Sequence, residues 1–381
     1  MEPDTCALPG PAPEPARPAV PTHAGTPALA DLTTLHVGGP ARRYVETTTQ
    51  DELVDVVRTA DDAGEPLLVL GGGSNVLVAD AGFDGVVVRD VRGGITVPDA
   101  SACAGVTLTV PAGTVWDDVV AYAVAHELVG VEALSGIPGS TGATPVQNVG
   151  AYGQEVAQTV SQVRVWDRGR RRVRTLPFAA LGFGYRTSTL KRSMRPDPSD
   201  PAAPWGPTPR YVVLDVTFQL RQGSLAAPVV YPELARALGV AVAERAPLAD
   251  VRAAVLELRG RKGMVLDEAD PDTWSAGSFF TNPVLTPAAA VTLPPDAPRW
   301  PMPDGATKTS AAWLIEHAGF GRGHGAPGPA TLSTKHTLAL TNRGDARAAD
   351  LLALAREVRG GVRERFGVLL EAEPVLVGDT L

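Results

Sequence analysis

A stretch of nineteen residues, 135–153, restricts the fold of this chain more than any other feature, because it contains no charged side chain. It holds five glycines and four serines or threonines, and its apolar residues follow neither the helical nor the strand period. A long loop of this kind inside a compact domain is usually functional. Small residues let a flat or phosphorylated ligand approach the backbone, and the amides of Gln147 and Asn148 can hydrogen-bond to a heterocycle edge. The stretch therefore predicts a ligand-binding loop, with a simple glycine-rich connection as the alternative.

A second glycine-rich segment, residues 71–75, has the sequence Gly-Gly-Gly-Ser-Asn. It follows a predicted buried strand at 67–70 and leads directly into another at 76–78. Consecutive glycines permit positive φ angles, so their N–H groups can converge on an anion such as a pyrophosphate. The segment is not a Walker loop, because no lysine follows, and not a Rossmann fingerprint, because the glycine spacing differs and no helix follows. Alone it could be an ordinary turn, but two such loops on neighbouring small domains predict a bound dinucleotide.

Periodicity and turn residues divide the rest of the chain into three regions of mixed helices and strands. The first has a helix that begins at a capping box of Thr49 and Glu52, with strands at 44–47, 67–70, 76–78 and 86–88. The second has a helix at 114–125 and strands at 106–110, 163–167, 173–176 and 211–220. The third has a strand at 337–341 and helices at 248–259, 309–318 and 345–366. A proline-rich insert at 195–209 predicts an exposed loop.

Composition excludes several classes of protein. The net charge of −8 argues against a nucleic-acid scaffold, and the basic run at 168–174 is expected to form a solvated hairpin turn. Cys6 and Cys103 are too few and too unevenly placed for a disulfide framework or a metal site, so no metal is expected. The sequence contains no run of about 18 apolar residues, so no membrane span is predicted. The proline-rich residues 1–28 lack the blocks of a signal peptide, which predicts a disordered tail on a cytoplasmic protein.

Further motifs follow the two loops in a fixed order. They are Phe-Gly-Tyr-Arg-Thr-Ser at 183–188, Ala-Gly-Ser-Phe-Phe-Thr-Asn-Pro at 276–283, a helical motif at 308–320 and Leu-Glu-Ala-Glu-Pro-Val at 370–375. Together with the loops they closely resemble the UDP-N-acetylenolpyruvoylglucosamine reductases, over about residues 32–377. Pro374 departs from this family, in which a valine usually follows the second glutamate.

The resemblance implies an α+β fold. It consists of a two-subdomain FAD-binding fold of the vanillyl-alcohol-oxidase type and a C-terminal α+β substrate-binding domain. The implied boundaries are 29–92 for subdomain 1, rejoined by 374–381, then 93–225 for subdomain 2 and 226–373 for the substrate domain. The implied function is the reduction of UDP-N-acetylglucosamine enolpyruvate to UDP-N-acetylmuramate, a cytoplasmic step of peptidoglycan synthesis that uses FAD and NADPH. We expect a monomer. The FAD should be bound non-covalently, because neither loop contains a histidine or cysteine to which it could be attached.

The cofactor contacts implied by the resemblance come from both loops. They are Gly71, Gly72, Gly73, Ser74, Asn75, Gly139, Ser140, Gly142, Ala143, Thr144, Gln147, Asn148, Gly150, Ala151, Tyr152 and Gly153.

The catalytic roles implied by the resemblance fall on three residues outside the loops. Reduction of an enolpyruvyl ether needs a hydride at the methylene carbon, a cation near the carboxylate and an acid that protonates the adjacent carbon. Arg186 is expected to supply the cation, Ser278 the proton, and Glu373 a general acid or a partner of the substrate carboxylate. Glu371 is the alternative to Glu373 on spacing.

Substrate contacts are expected from five further residues, namely Tyr185, Tyr231, Lys262, Asn282 and His336. Lys262 would act on the diphosphate as a point charge. Two other functions stay open from the sequence. One is a different flavin oxidoreductase of the same fold, such as an alcohol oxidase, and the other is a nucleotide-binding protein without catalysis.

Overall fold

The computed structural model describes residues 27–101, 105–200 and 202–381. Residues 1–26 of the predicted tail, together with Cys6 and Cys103, lie outside the described residues. Ala28 forms a β-bridge with Pro40, so the packed part of the chain begins before residue 29.

The first region is a small parallel sheet with one helix. Its elements are β1 (Ala41–Thr47), α1 (Gln50–Asp62), β2 (Leu67–Leu70), β3 (Val76–Val78) and β4 (Phe83–Asp90). The strands β1, β4 and β2 form the sheet in that order, and all neighbours are parallel. Thr49 and Glu52 form both hydrogen bonds of the predicted capping box at the start of α1. Its buried residues Leu53, Val57 and Ala60 recur at the helical period and pack on the sheet.

The second region is a six-stranded antiparallel sheet. Its strands are β5 (Thr96–Ser101), β6 (Gly105–Pro111), β7 (Leu128–Val129), β10 (Val160–Asp167), β11 (Arg172–Pro177) and β12 (Tyr211–Gln222). The order is β11-β10-β12-β6-β5, and β7 pairs with the end of β12. Around it lie α2 (Trp116–Ala125), α3 (Thr144–Gln147), β8 (Gly150–Ala151), β9 (Gln154–Glu155), α4 (Phe178–Leu181) and α5 (Thr189–Arg192).

The third region contains the longest helix of the described chain. Its elements are α6 (Pro232–Leu238), α7 (Leu248–Arg261), β13 (Val284–Leu285), α8 (Pro287–Val291), β14 (Arg299–Pro301), β15 (Thr307–Thr309), α9 (Ala311–His317), β16 (Ala330–Leu332), β17 (Leu340–Asn342) and α10 (Ala348–Phe366). The buried face of α10, which includes Leu351, Ala355, Val358 and Val362, packs against α9 in one core. The chain then returns to the first region, where β18 (Val375–Val377) pairs in parallel with β3. No helix within the described residues has the length and apolar character needed to cross a membrane.

The basic run at 168–174 forms a hairpin turn between β10 and the edge strand β11, as predicted, but it is not simply solvated. Arg168 forms an ion pair of 2.6 Å with Asp61 at the end of α1. Arg174 and Arg210 both pair with Asp167, whose side chain is fully buried. The run therefore ties the antiparallel sheet to the first region.

The described residues of the proline-rich insert, 195–200 and 202–209, form a loop, as predicted, but the prediction that the insert is exposed is wrong at its C-terminal end. Thr208 is buried there, and its hydroxyl accepts a hydrogen bond from Val69 N at 2.7 Å and donates one to Leu67 O at 2.9 Å. Arg168 donates to the carbonyl oxygens of Trp205 and Thr208. The insert thus covers the free edge of β2 with polar contacts that its composition does not reveal.

Candidate active site

The two glycine-rich loops meet backbone to backbone. A Cβ atom on Gly72 would lie 2.6 Å from Gly139 Cα, and one on Gly73, whose φ is +65°, would lie 1.8 Å from Leu32 O. Ser74 Oγ donates a hydrogen bond of 2.9 Å to Pro138 O across the junction. Only glycine fits these two positions, because a Cβ on Gly72 would force the loops apart and one on Gly73 would clash with the backbone of Leu32.

The longer loop is held on the antiparallel sheet by its own backbone. Thr141 N donates to Thr114 O and Gly142 N donates to Ala112 O, each at 2.8 Å. The prediction that 135–153 lacks helical structure is wrong at its centre, where a 3-10 turn at Thr141–Ala143 leads into α3. Turns this short are below the length that periodicity can detect.

A cavity of about 350 Å³ lies where the loops meet. The predicted site residues that line it are Gly71, Gly72, Gly73, Ser74, Asn75, Gly139, Ser140, Gly142, Ala143, Thr144, Gln147, Gly150, Arg186, Ser278 and Glu373. The lining also includes residues of β2, the start of β12 and residues 207–209 of the insert, and Ser278 and Glu373 contribute to it from the third region. The structure therefore brings the three predicted catalytic residues to the same cavity as the two loops.

Arg186 and Glu373 form the charged centre of this cavity. Arg186 Nε lies 3.2 Å from Glu373 Oε1, close enough for an ion pair but without the alignment of a hydrogen bond. The other guanidinium nitrogens of Arg186 donate to Gly150 O at 2.8 Å and to Asn148 O at 3.4 Å. The guanidinium is thus anchored on the longer loop while its Nε faces the carboxylate.

Backbone pairing brings Ser278 and Glu373 to neighbouring positions. Phe280 forms a β-bridge with Ala372, and Glu373 N donates to Phe279 O at 2.8 Å. Ser278 is half-buried in the cavity wall, and within the described residues its hydroxyl makes no hydrogen bond. Glu371, the alternative to Glu373, points outward with 69% of its side chain exposed.

Two cations of the cavity were not predicted. Lys191 Nζ donates to Gln147 Oε1, and Gln147 Nε2 donates to Glu373 Oε1 at 3.0 Å. Burial lowers the pKa of Arg259 to about 10, and its Nε is buried without a hydrogen bond from the described residues. Lys191 follows the Tyr-Arg-Thr-Ser motif by one helical turn, and Arg259 precedes Lys262 by three residues. The nearness of Lys191 and Arg259 to predicted site residues is the signal that could have identified them.

Tyr231 and Lys262 belong to a separate cluster beside the cavity. The rings of Tyr152 and Tyr231 meet edge to face at 5.4 Å, and Lys262 Nζ lies 5.6 Å from the Tyr152 ring. Lys262 Nζ also forms an ion pair of 2.6 Å with Glu233 on α6, the element that begins directly after Tyr231. Burial raises the pKa of Tyr152 to about 12.

The remaining predicted substrate residues lie in the third region or next to Arg186. The Tyr185 ring is 4.7 Å from Lys308 Nζ, and its hydroxyl accepts a hydrogen bond of 3.4 Å from Asn282 N. Asn282 Oδ1 accepts from Ala311 N at the start of α9. Burial, and after it the nearby cations Lys262 and Arg322, lower the pKa of His336 to about 4, so its imidazole is neutral at pH 7.

Four residues predicted to contact the cofactor do not line the cavity. They are Asn148, Ala151, Tyr152 and Gly153. The fully buried Asn148 side chain bonds Glu155 Oε2, Gly184 O and Ala157 N, so it serves the loop itself. Tyr152 and Gly153 line a neighbouring cavity of about 430 Å³ under the segment that leads to Tyr231.

Two family models match this chain. The model of the FAD binding domain matches residues 41–175, and that of the C-terminal domain of UDP-N-acetylenolpyruvoylglucosamine reductase matches residues 270–377. The UDP-N-acetylenolpyruvoylglucosamine reductase of Thermobifida fusca is 53% identical over 363 residues, which cover 93% of this chain and 97% of that protein. The chain belongs to the UDP-N-acetylenolpyruvoylglucosamine reductase family. The reductase of Salinispora arenicola is 54% identical over 363 residues, covering 93% of this chain and 95% of that protein.

A solved structure of the same reductase family is also similar to this chain. The reductase from Thermus caldophilus has a TM-score of 0.59 and 28% sequence identity, with 93% of this chain and 98% of that chain covered. These relationships confirm the family, the α+β fold class with its FAD-binding part, the oxidoreductase class and the FAD cofactor that the sequence predicts.

The cavity of this reductase family member fits FAD on its own geometry. Glycine backbone from both loops borders the cavity, so a ligand there meets main-chain groups with no Cβ in front of them. Arg186 and Arg259 line the cavity and each has a buried Nε without a hydrogen bond from the described residues. A buried donor without a hydrogen bond is costly, and the Arg186 Nε has its ion pair with Glu373 but no aligned acceptor, so both guanidinium groups are suited to a ligand that carries anionic or carbonyl oxygens.

Proposed function

We propose that this chain reduces UDP-N-acetylglucosamine enolpyruvate to UDP-N-acetylmuramate with FAD as cofactor and NADPH as hydride donor. One observation carries the proposal. Arg186, Ser278 and Glu373 come from three separate segments and line one cavity with the two FAD-binding loops. An alcohol oxidase would need the loops but not this set of a cation, a hydroxyl and a carboxyl group.

Bound FAD supplies the hydride for the methylene carbon of the enolpyruvyl group. Arg186 neutralises the charge that spreads into the substrate carboxylate, because its guanidinium stays charged and can donate two parallel hydrogen bonds. Ser278 Oγ donates the proton to the adjacent carbon, and its freedom from hydrogen bonds within the described residues leaves it available. Glu373 either hydrogen-bonds to the carboxylate of the substrate and orients it, or acts as a second acid beside Arg186.

The substrate's diphosphate is assigned to Lys262, with Tyr231 folding over it. The Lys262–Glu233 ion pair of 2.6 Å must then open, so the phosphate oxygens replace the Glu233 carboxylate. Tyr185 and Asn282 are assigned to the sugar and uracil side of the site. The neutral imidazole of His336 offers one donor and one acceptor without adding charge.

Cofactor binding is assigned to the loop residues that line the cavity, while Asn148, Ala151, Tyr152 and Gly153 support the loop from outside it. The pairing of β18 with β3 supports the proposed domain boundaries, in which 374–381 rejoins subdomain 1. A cytoplasmic monomer remains part of the proposal.

The proposal is tested with the purified full-length protein in steady state. We expect a yellow protein whose NADPH consumption depends on UDP-N-acetylglucosamine enolpyruvate and yields UDP-N-acetylmuramate. NADPH consumption that depends on oxygen alone, with no response to the enolpyruvyl sugar, would assign the chain to the oxidases. Bound FAD without any turnover would leave only nucleotide binding.

A further inference from the structure

Lys191 is connected to Glu373 through one amide. Its Nζ donates to Gln147 Oε1, and Gln147 Nε2 donates to Glu373 Oε1 at 3.0 Å. The same ammonium lies 3.4 Å from the main-chain oxygen of Glu373. All three side chains line the cavity.

Local structure fixes the direction of Lys191. It belongs to the short helix α5, which is capped at its N-terminus by the fully buried Ser188. Ser188 Oγ accepts a hydrogen bond from Lys191 N at 3.2 Å and donates one to Val146 O at 2.8 Å. Because this hydroxyl connects α5 to α3, the ammonium faces Gln147.

The ammonium determines which way the Gln147 amide is turned. An amide can present either oxygen or NH2 to a neighbour, but a lysine ammonium only donates. The amide oxygen must therefore face Lys191, and the NH2 group must face Glu373. Without the ammonium the amide could turn over and present its oxygen to the Glu373 carboxyl group, which would displace that group from Arg186.

We propose that Lys191 is a positioning residue for the reduction of the enolpyruvyl group, acting on Glu373 through Gln147. This inference rests on the proposed function, because Glu373 is assigned there. The surroundings of Lys191 support a role beyond stability. Burial lowers its pKa, as does the nearby Arg186, while Glu373 partly opposes the shift. Burial and the neighbouring Arg186 both disfavour the charged form of Lys191, and a lysine perturbed in this way is typical of a functional site.

The test compares Lys191→Met, Gln147→Leu and the double variant in the FAD-loaded enzyme. Reduction of the flavin by NADPH and its reoxidation by the enolpyruvyl sugar are measured separately by anaerobic stopped flow. We expect each single variant to slow the reoxidation by about tenfold, and Lys191→Met to leave the NADPH step with little change. The double variant should be no slower than the slower single variant, because both changes break the same connection.

Arg192→Met is the matched control. Arg192 is exposed on the same helix and bonds Gly182 O and Thr189 Oγ1, away from Glu373, so both steps should keep their wild-type rates. The role of Lys191 would be overturned if the rate losses of the two single variants multiplied in the double variant. It would also be overturned if the rates of both steps fell equally. The proposed function fails separately, if wild-type reduced flavin does not respond to the enolpyruvyl sugar.

Discussion

Arg186 Nε and Glu373 Oε1 lie 3.2 Å apart, although 186 residues stand between the two in the sequence. That separation is roughly the length of a domain. The contact joins the longer glycine-rich loop, on which Arg186 is anchored, to the C-terminal segment that pairs with the segment carrying Ser278. A cation, a carboxyl group and a hydroxyl without a hydrogen bond from the described residues thus share the space in which the substrate's enolpyruvyl group is expected.

Replacing Arg186 with lysine keeps the charge but removes the planar fork of donors. Lysine cannot bind Gly150 O and Glu373 while also gripping a carboxylate. We expect the rate of the enolpyruvyl step to fall by about 10²- to 10³-fold, with a much smaller effect on flavin reduction by NADPH. Single-turnover kinetics of the two steps check this, and wild-type rates in both would contradict the assigned role.

Gly72 should be essential for FAD binding because its missing Cβ makes room for the second loop. Alanine would place a carbon 2.6 Å from Gly139 Cα and push the loops apart. We expect the Kd of FAD to rise by about tenfold or more, measured by flavin fluorescence on titration of the apo-protein. Gly360→Ala is the control, since a Cβ there meets nothing within 4 Å. Equal FAD affinity in both variants would show that the loops do not form the cofactor site.

Glu233 is expected to compete with the substrate for Lys262. Its carboxylate holds the ammonium at 2.6 Å, so Glu233→Gln frees the cation for the diphosphate. The KM for the enolpyruvyl sugar should fall by about two- to fivefold, as expected for a partly exposed ion pair. Glu257→Gln, which removes an exposed pair with Arg261 on α7, should leave KM unchanged. A higher KM in Glu233→Gln would place Glu233 among the residues that bind substrate.

His336 should make the protein less stable in mild acid. Its pKa is about 4 in the folded protein, below the ordinary 6.5, so the unfolded chain takes up a proton first as the pH falls. The contribution of the neutral imidazole to stability is therefore complete above pH 6.5 and is lost progressively toward pH 4. The free energy of unfolding, measured in urea, should fall less between pH 7 and pH 5 in His336→Gln than in the wild type. The exposed His317→Gln is the control, and identical losses in all three proteins would contradict this view.

Much of the local structure could be predicted from the sequence. The strands β2 and β3 begin and end as predicted, because each is a short apolar run beside the glycines at 71–73. The capping box of Thr49 and Glu52 predicted the start of α1 for a physical reason that needs no tertiary contact. The resemblance added the three catalytic candidates, and all of them line the cavity.

The contacts that connect distant segments could not be predicted. Gln147 lines the cavity in which the cofactor is expected, but its bonds to Lys191 and Glu373 are encoded by no local pattern. Thr208 looked like part of an exposed proline-rich loop until tertiary packing placed its hydroxyl on β2. Such pairings depend on how the regions pack together, so propensity and periodicity carry no signal for them.

The central claim is that reduced flavin in this cavity delivers its hydride to an enolpyruvyl sugar while Ser278 supplies the proton. Anaerobic mixing of the NADPH-reduced enzyme with UDP-N-acetylglucosamine enolpyruvate tests it directly, in the wild type and in Ser278→Ala. We predict rapid flavin reoxidation with formation of UDP-N-acetylmuramate in the wild type, and a loss of about 10²-fold or more in the variant, with normal reduction by NADPH. Flavin that stays reduced in the wild type, or an equal fall of both steps in Ser278→Ala, would contradict the account.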